Sequence, residues 1–76
     1  MKDILEYIVK SLVDDPETVS VTEEDVEGVV TLTITPAKED MGKLIGKGGK
    51  VIRAIRNIMK IPAMKEGKKV QVQLAE

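Results

Sequence analysis

Seventy-six residues, 42% hydrophobic and 33% charged, make one small folded domain at most; the balance excludes a disordered tail. Cysteine and histidine are both absent, which excludes a disulfide framework, a thiolate metal site and imidazole acid/base chemistry. The net charge of −1 argues against avid nucleic-acid binding, yet it hides a division: residues 1–36 hold nine acids and two bases, whereas residues 37–76 hold ten bases and four acids.

The first stretch, MKDILEYIVKSLVDD, places Ile4, Leu5, Ile8, Val9, Leu12 and Val13 at the spacing of a helix with one buried face, predicting a helix over 2–14 that Asp14, Asp15 and Pro16 end. Charges at Lys2, Asp3, Glu6 and Lys10 break any signal-peptide core or membrane span. A cytoplasmic location is expected. The period then changes: Val19 and Val21 alternate, as do Val30, Leu32 and Ile34, which predicts a hairpin around an acidic turn ending in Gly28. Pro36 stops the second strand, and AKEDMGKLIG resumes helical spacing through Ala37, Met41, Leu44 and Ile45.

KVIRAIRNIMKI gives the cleanest helical wheel. Val51, Ile52, Ile55, Ile58 and Met59 share one arc and Lys50, Arg53, Arg56 and Lys60 the opposite one, predicting a helix over 49–60 closed by Pro62. MKEGKK then reads as a polar loop, and Val70, Val72 and Leu74 alternate as a last strand over 69–75. The order is α-β-β-α-α-β. A strand, two helices and a strand form a right-handed crossover, so the strands at 29–35 and 69–75 are expected to lie parallel and adjacent, with the hairpin partner antiparallel on the other side. The expected fold is α+β, a three-stranded mixed sheet covered on one face by three helices, with residues 1–76 as a single domain.

Between the second and third helices runs GKLIGKGGKVI, with Gly46, Gly48 and Gly49 at the turn and Lys47 and Lys50 beside them. Such a turn aims the free N–H groups and positive dipole end of the following helix at whatever covers it, and the missing side chains let a ligand touch backbone. That pattern suits phosphate. G-x-x-x-x-G-K-S/T is absent, and G-x-G-x-x-G would need glycine where Val51 stands, so nucleotide-binding loops of those kinds are excluded.

LIGKGGKVI resembles the I-G-x-x-G-x-x-I signature of the KH domain, with Ile45, Gly46, Gly49 and Ile52 in the diagnostic positions. The element order is similar to the type II, prokaryotic arrangement, and a stand-alone chain of this length resembles the small bacterial KhpA-type RNA-binding proteins. The resemblance implies a groove for about four unpaired nucleotides, clamped on their sugar-phosphate backbone by Gly46, Lys47, Gly48 and Gly49. It further implies Ile45 and Leu44 as candidates for the apolar wall under the bases, with core positions as the alternative. Lys50 and Arg53 would extend the phosphate track, and Arg56 and Lys60 lie farther along the same arc. Expected partners are single-stranded RNA and a second KH domain, either another copy or a protein of the Jag type.

Two features stand apart from the pattern. Tyr7 is the single aromatic and lies on the first helix, so aromatic base stacking is not available. Glu23, Glu24, Asp25 and Glu27 are expected at a hairpin turn bordering the groove, where they would repel phosphate. Ser11 and Ser20 have no histidine or cysteine to activate them, so no enzyme is expected, and no cofactor or metal. The competing reading is a KH fold kept as a docking or dimerisation module.

Overall fold

The computed structural model describes residues 1–75. Helix α1 spans Lys2–Leu12, with Leu5 and Val9 fully buried. It stops two residues short of the predicted end because Val13 is extended and the N–H groups of Asp14 and Asp15 turn away to the carboxylate of Asp40, at 3.2 and 3.0 Å. Strands β1 (Ser20–Val26) and β2 (Val29–Thr35) pair antiparallel with Val26 opposite Val29. The connecting turn is therefore only Glu27 and Gly28, both at positive φ, the geometry that matches the twist of a tight hairpin. Glu23, Glu24 and Asp25, expected in the turn, belong to the β1 ladder instead. β1 is an edge strand, where charged side chains are tolerated and discourage further pairing.

A single 3-10 turn over Lys38–Asp40 leads into α2 (Met41–Ile45), and a glycine turn over Lys47–Gly49, with Gly48 and Gly49 at positive φ, leads into α3 (Lys50–Lys65). The third helix passes through Pro62 and ends five residues beyond its predicted limit. Proline forfeits the bond to the carbonyl one turn earlier, but the next residue, Ala63, is buried, and the helix end is closed by paired bonds. Lys68 N–H donates to Ala63 C=O at 2.9 Å and Gly67 N–H to Met64 C=O at 3.1 Å, with Gly67 at φ 68°, a Schellman cap. Strand β3 (Lys69–Leu74) then pairs parallel with β2, giving the sheet order β1-β2-β3 that the crossover predicts.

Val30, Leu32 and Ile34 point from β2 into the core, where they meet Leu5 and Val9 of α1, Leu44 of α2 and Ile52, Ile55 and Met59 of α3. Fully burying each such side chain stabilises the fold by about 1.5–3 kcal/mol. Alternation leaves Thr31, Thr33 and Thr35 on the helix-free face of the sheet. The whole arrangement sets α2 and α3 end to end around the glycine turn, with α3 lying along the free edge of β3.

Candidate nucleic-acid interface

The α2–α3 connection is built from glycines that the geometry requires. Gly46 lies at φ 76°, ψ 169°, and a Cβ there would meet Val51 Cγ2 at 2.4 Å and the Val51 nitrogen at 2.8 Å. Gly46 N–H ends α2 on Gly42 C=O at 2.9 Å, and Gly49 N–H donates back to Gly46 C=O at 3.1 Å, so the turn folds on itself. Gly48 and Gly49 both have positive φ, and Gly49 leads into α3 with no side chain capping that end. The α3 N-terminus is thus open, with Lys47 and Lys50 exposed on either side. Neither forms an ion pair among the described residues.

Arg53 does more than lengthen the basic arc. Its guanidinium donates to Gly48 C=O at 2.9 Å, bracing the turn from the first turn of α3 and leaving further N–H donors of the fork to face outward. Arg56, one turn on, donates from Nε to Val72 C=O of β3 at 3.2 Å. An open groove of about 450 Å³ runs between the two elements, lined by Arg53, Arg56, Asn57 and Lys60 on the helix side and residues 70–73 on the strand side. The arc that the wheel placed opposite the core therefore forms one wall of a groove whose other wall is a free sheet edge.

The two apolar residues before the turn part company. Leu44 is 0% exposed and belongs to the core, so it cannot form a wall under bases; Ile45 is 39% exposed at the mouth of the turn. A Cβ at Gly42 would meet nothing within 4 Å, so close approach of a neighbour does not explain that glycine.

The acidic cluster does not border the glycine turn. Gly28 C=O accepts Lys69 N–H at 3.0 Å, which sets the hairpin turn beside the start of β3, at the far end of α3. Sixteen residues of helix separate that end from the glycine turn by about 24 Å. Glu23 accepts the backbone N–H of Lys2 at 3.0 Å, and Asp25 pairs with Lys68. The hydrogen bond from Lys68 holds the Asp25 carboxyl below its ordinary value, and the same bond holds Lys68 above its own. The cluster thus lies away from the glycine turn, and its Asp25 is paired with Lys68 at the far end of α3.

Asp40 is the residue that sequence reasoning missed. It is the one buried charged residue among the described residues, and both its oxygens accept N–H groups of the α1–β1 connection. Lys43 pairs with Asp14 across the same junction, and that hydrogen bond raises the lysine above its ordinary value. Together they fasten α2, and so the glycine turn, to the end of α1. A signal existed: Ala37, Asp40, Met41 and Leu44 share one helical face, and a carboxylate in an apolar stripe needs partners.

The family model for the KhpA/KhpB KH domain matches residues 2–74. The chain belongs to the KhpA/KhpB KH-domain family. Relatives named RNA-binding protein KhpA include one from Clostridium perfringens, 49% identical over 97% of this chain and 99% of its own length. One from Chlamydia caviae is 42% identical over 100% of this chain and 97% of its own, and one from Listeria monocytogenes is 38% identical over the full length of both. No solved structure matches the chain. The α-β-β-α-α-β order and the mixed sheet are those of a type II KH fold.

Proposed function

We propose that this KH domain binds single-stranded RNA in the cytoplasm, without catalysis, as an RNA chaperone or post-transcriptional regulator. Gly46, Lys47, Gly48 and Gly49 clamp the sugar-phosphate backbone, Lys50 and Arg53 carry the phosphate track onto α3, and Ile45 supports a base at the mouth of the turn. About four nucleotides occupy the clamp and the groove beside it. The observation that carries this reading is the turn itself: an uncapped helix start, a glycine with no room for a side chain, and two exposed lysines beside it. The relatives' shared name, RNA-binding protein, supports the same reading.

The domain is proposed to work as a pair, with a second copy or with a Jag-type KH protein. Ile4 and Tyr7 on α1 and Ile58 and Ile61 on α3 are exposed apolar residues. On the α3 wheel Ile58 and Ile61 lie on the flank away from Arg56 and Lys60, so pairing there leaves the groove open and sets two clamps on one RNA. Salt dependence separates RNA binding from a module that only docks protein. With three or four phosphate contacts, log affinity for single-stranded RNA falls against log salt with a slope of about −2 to −3. A flat dependence would favour the docking module.

A further inference from the structure

The groove along α3 continues beyond the stretch next to the glycine turn. A second depression of about 330 Å³ follows it along α3, lined by Lys60, Ala63 and Met64 of the helix and by Lys68, Lys69 and Val70. Lys60 and Val70 line both, so the two are consecutive stretches of one channel leading away from the glycine turn.

The second stretch has its own chemistry. Met64 is 77% exposed, unusual for an unbranched apolar side chain, and with Val70 and the buried Ala63 it forms an apolar floor. A thioether makes favourable contact with aromatic rings, and every nucleobase offers a π face, so Met64 supplies what the missing aromatics would. The strand side offers hydrogen bonds as well. Lys69 N–H points inward to Gly28 C=O and Ala75 N–H to Ile34 C=O, so the alternate residues Val70 and Val72 turn their backbone groups to the free edge. Arg56 takes Val72 C=O, which fits that alternation, while Val70 presents one donor and one acceptor to the channel.

Charge at this end is divided between the lysines of the channel and the carboxylates of the nearby hairpin. Residues 60–69 contain Lys60, Lys65, Lys68 and Lys69 against Glu66 alone. Lys68 is engaged by Asp25, which neutralises that carboxylate at the channel rim, and Glu66 and Glu23 also act on Lys68, while Glu27 is exposed. Lys60 and Lys69 remain on opposite walls, both exposed.

We propose that an RNA strand held in the clamp continues into this second stretch, where one or two further nucleotides bind with a base on Met64 and Val70 and phosphate between Lys60 and Lys69. From Lys60 to Met64 the helix advances about 6 Å, which accommodates that many nucleotides at about 3.4 Å per phosphate in a stacked strand. The inference rests on the clamp reading and extends it: residues 64–69, the end of α3 and the start of β3, are then part of the binding surface.

Fluorescence anisotropy with randomised-sequence RNA of four and eight nucleotides tests it. Register counting alone gives the octamer an advantage of about fivefold over the tetramer; the second stretch adds to that. In the full chain carrying Met64→Ala with Lys69→Gln, octamer affinity is expected to fall about fivefold while tetramer affinity stays within about twofold. Equal loss at both lengths, or no loss at either, overturns the inference with the clamp intact. Failure of the unaltered protein to bind either length overturns the clamp reading and this inference with it. A Met64 methyl resonance that shifts with the octamer and not with the tetramer is the expected independent signature; one that shifts with neither contradicts the proposal.

Discussion

At the scale of single residues, the glycines of one short segment obey different constraints. Gly46 combines positive φ with a Cβ position already filled by Val51, whereas Gly42 sits in α2 with open space around it. Gly46→Ala is expected to destabilise the fold by about 2–4 kcal/mol through overpacking and backbone strain, read as a lower urea midpoint. Gly42→Ala is expected to raise stability by up to about 1 kcal/mol, since alanine is the better helix former and meets no obstacle. The KH signature was visible in the order of residues, but which glycine tolerates a side chain depends on Val51, a neighbour across the turn that spacing alone does not place. Ile45 and Leu44 make the same point. Adjacent apolar residues are indistinguishable until the helix rotation is fixed, and the core then takes Leu44 and leaves Ile45 at the surface.

At the scale of elements, the junction of α1 with α2 turns on Asp40, whose carboxylate accepts two backbone N–H groups that otherwise have no partner. Asp40→Asn keeps the shape, but sets an amide donor against one of those N–H groups. It is expected to cost about 1–3 kcal/mol in a denaturant melt, and Asp14→Asn much less because its partnership with Lys43 is exposed. The strands and the crossover were legible because alternation and the α-β-β-α-α-β order leave few topologies. Element ends were less so. Val13 leaves α1 early because Asp40 captures the next two N–H groups, and α3 outlasts Pro62 because Ala63 is buried and Gly67 closes the helix. The acidic residues joined β1 because the hairpin needs only Glu27 and Gly28 to turn. Each of these ends was decided by a tertiary contact or by turn geometry, which local propensity does not contain.

At the scale of the molecule, the acidic and basic halves of the chain interlock rather than simply oppose each other. Asp25 on β1 and Lys68 before β3 join them, and the pair makes a contribution to stability that changes with pH. The hydrogen bond from Lys68 lowers Asp25, so that stabilisation is complete above its ordinary 3.8 and is lost as pH falls through the folded value. Lys68 is raised, so its share is present below 10.5 and is lost as pH rises through its folded value. Calorimetry of Asp25→Asn is expected to show a small Tm deficit that is constant at neutral pH and closes in acid below 3.8; a deficit unchanged in acid would contradict the pair's role. The proposed clamp, the glycine turn, lies at the other end of α3, at an uncapped helix start with Lys47 and Lys50 beside it. Gly48 has open space around it and aspartate is among the residues that accept positive φ, so Lys47→Asp with Gly48→Asp sets two negative charges at the turn without disturbing the core. The most direct measurement is the affinity of that variant for single-stranded RNA, with its thermal melt recorded alongside. A folded variant that no longer binds RNA is the expected result; a folded variant that binds as tightly as the unaltered chain would contradict the clamp.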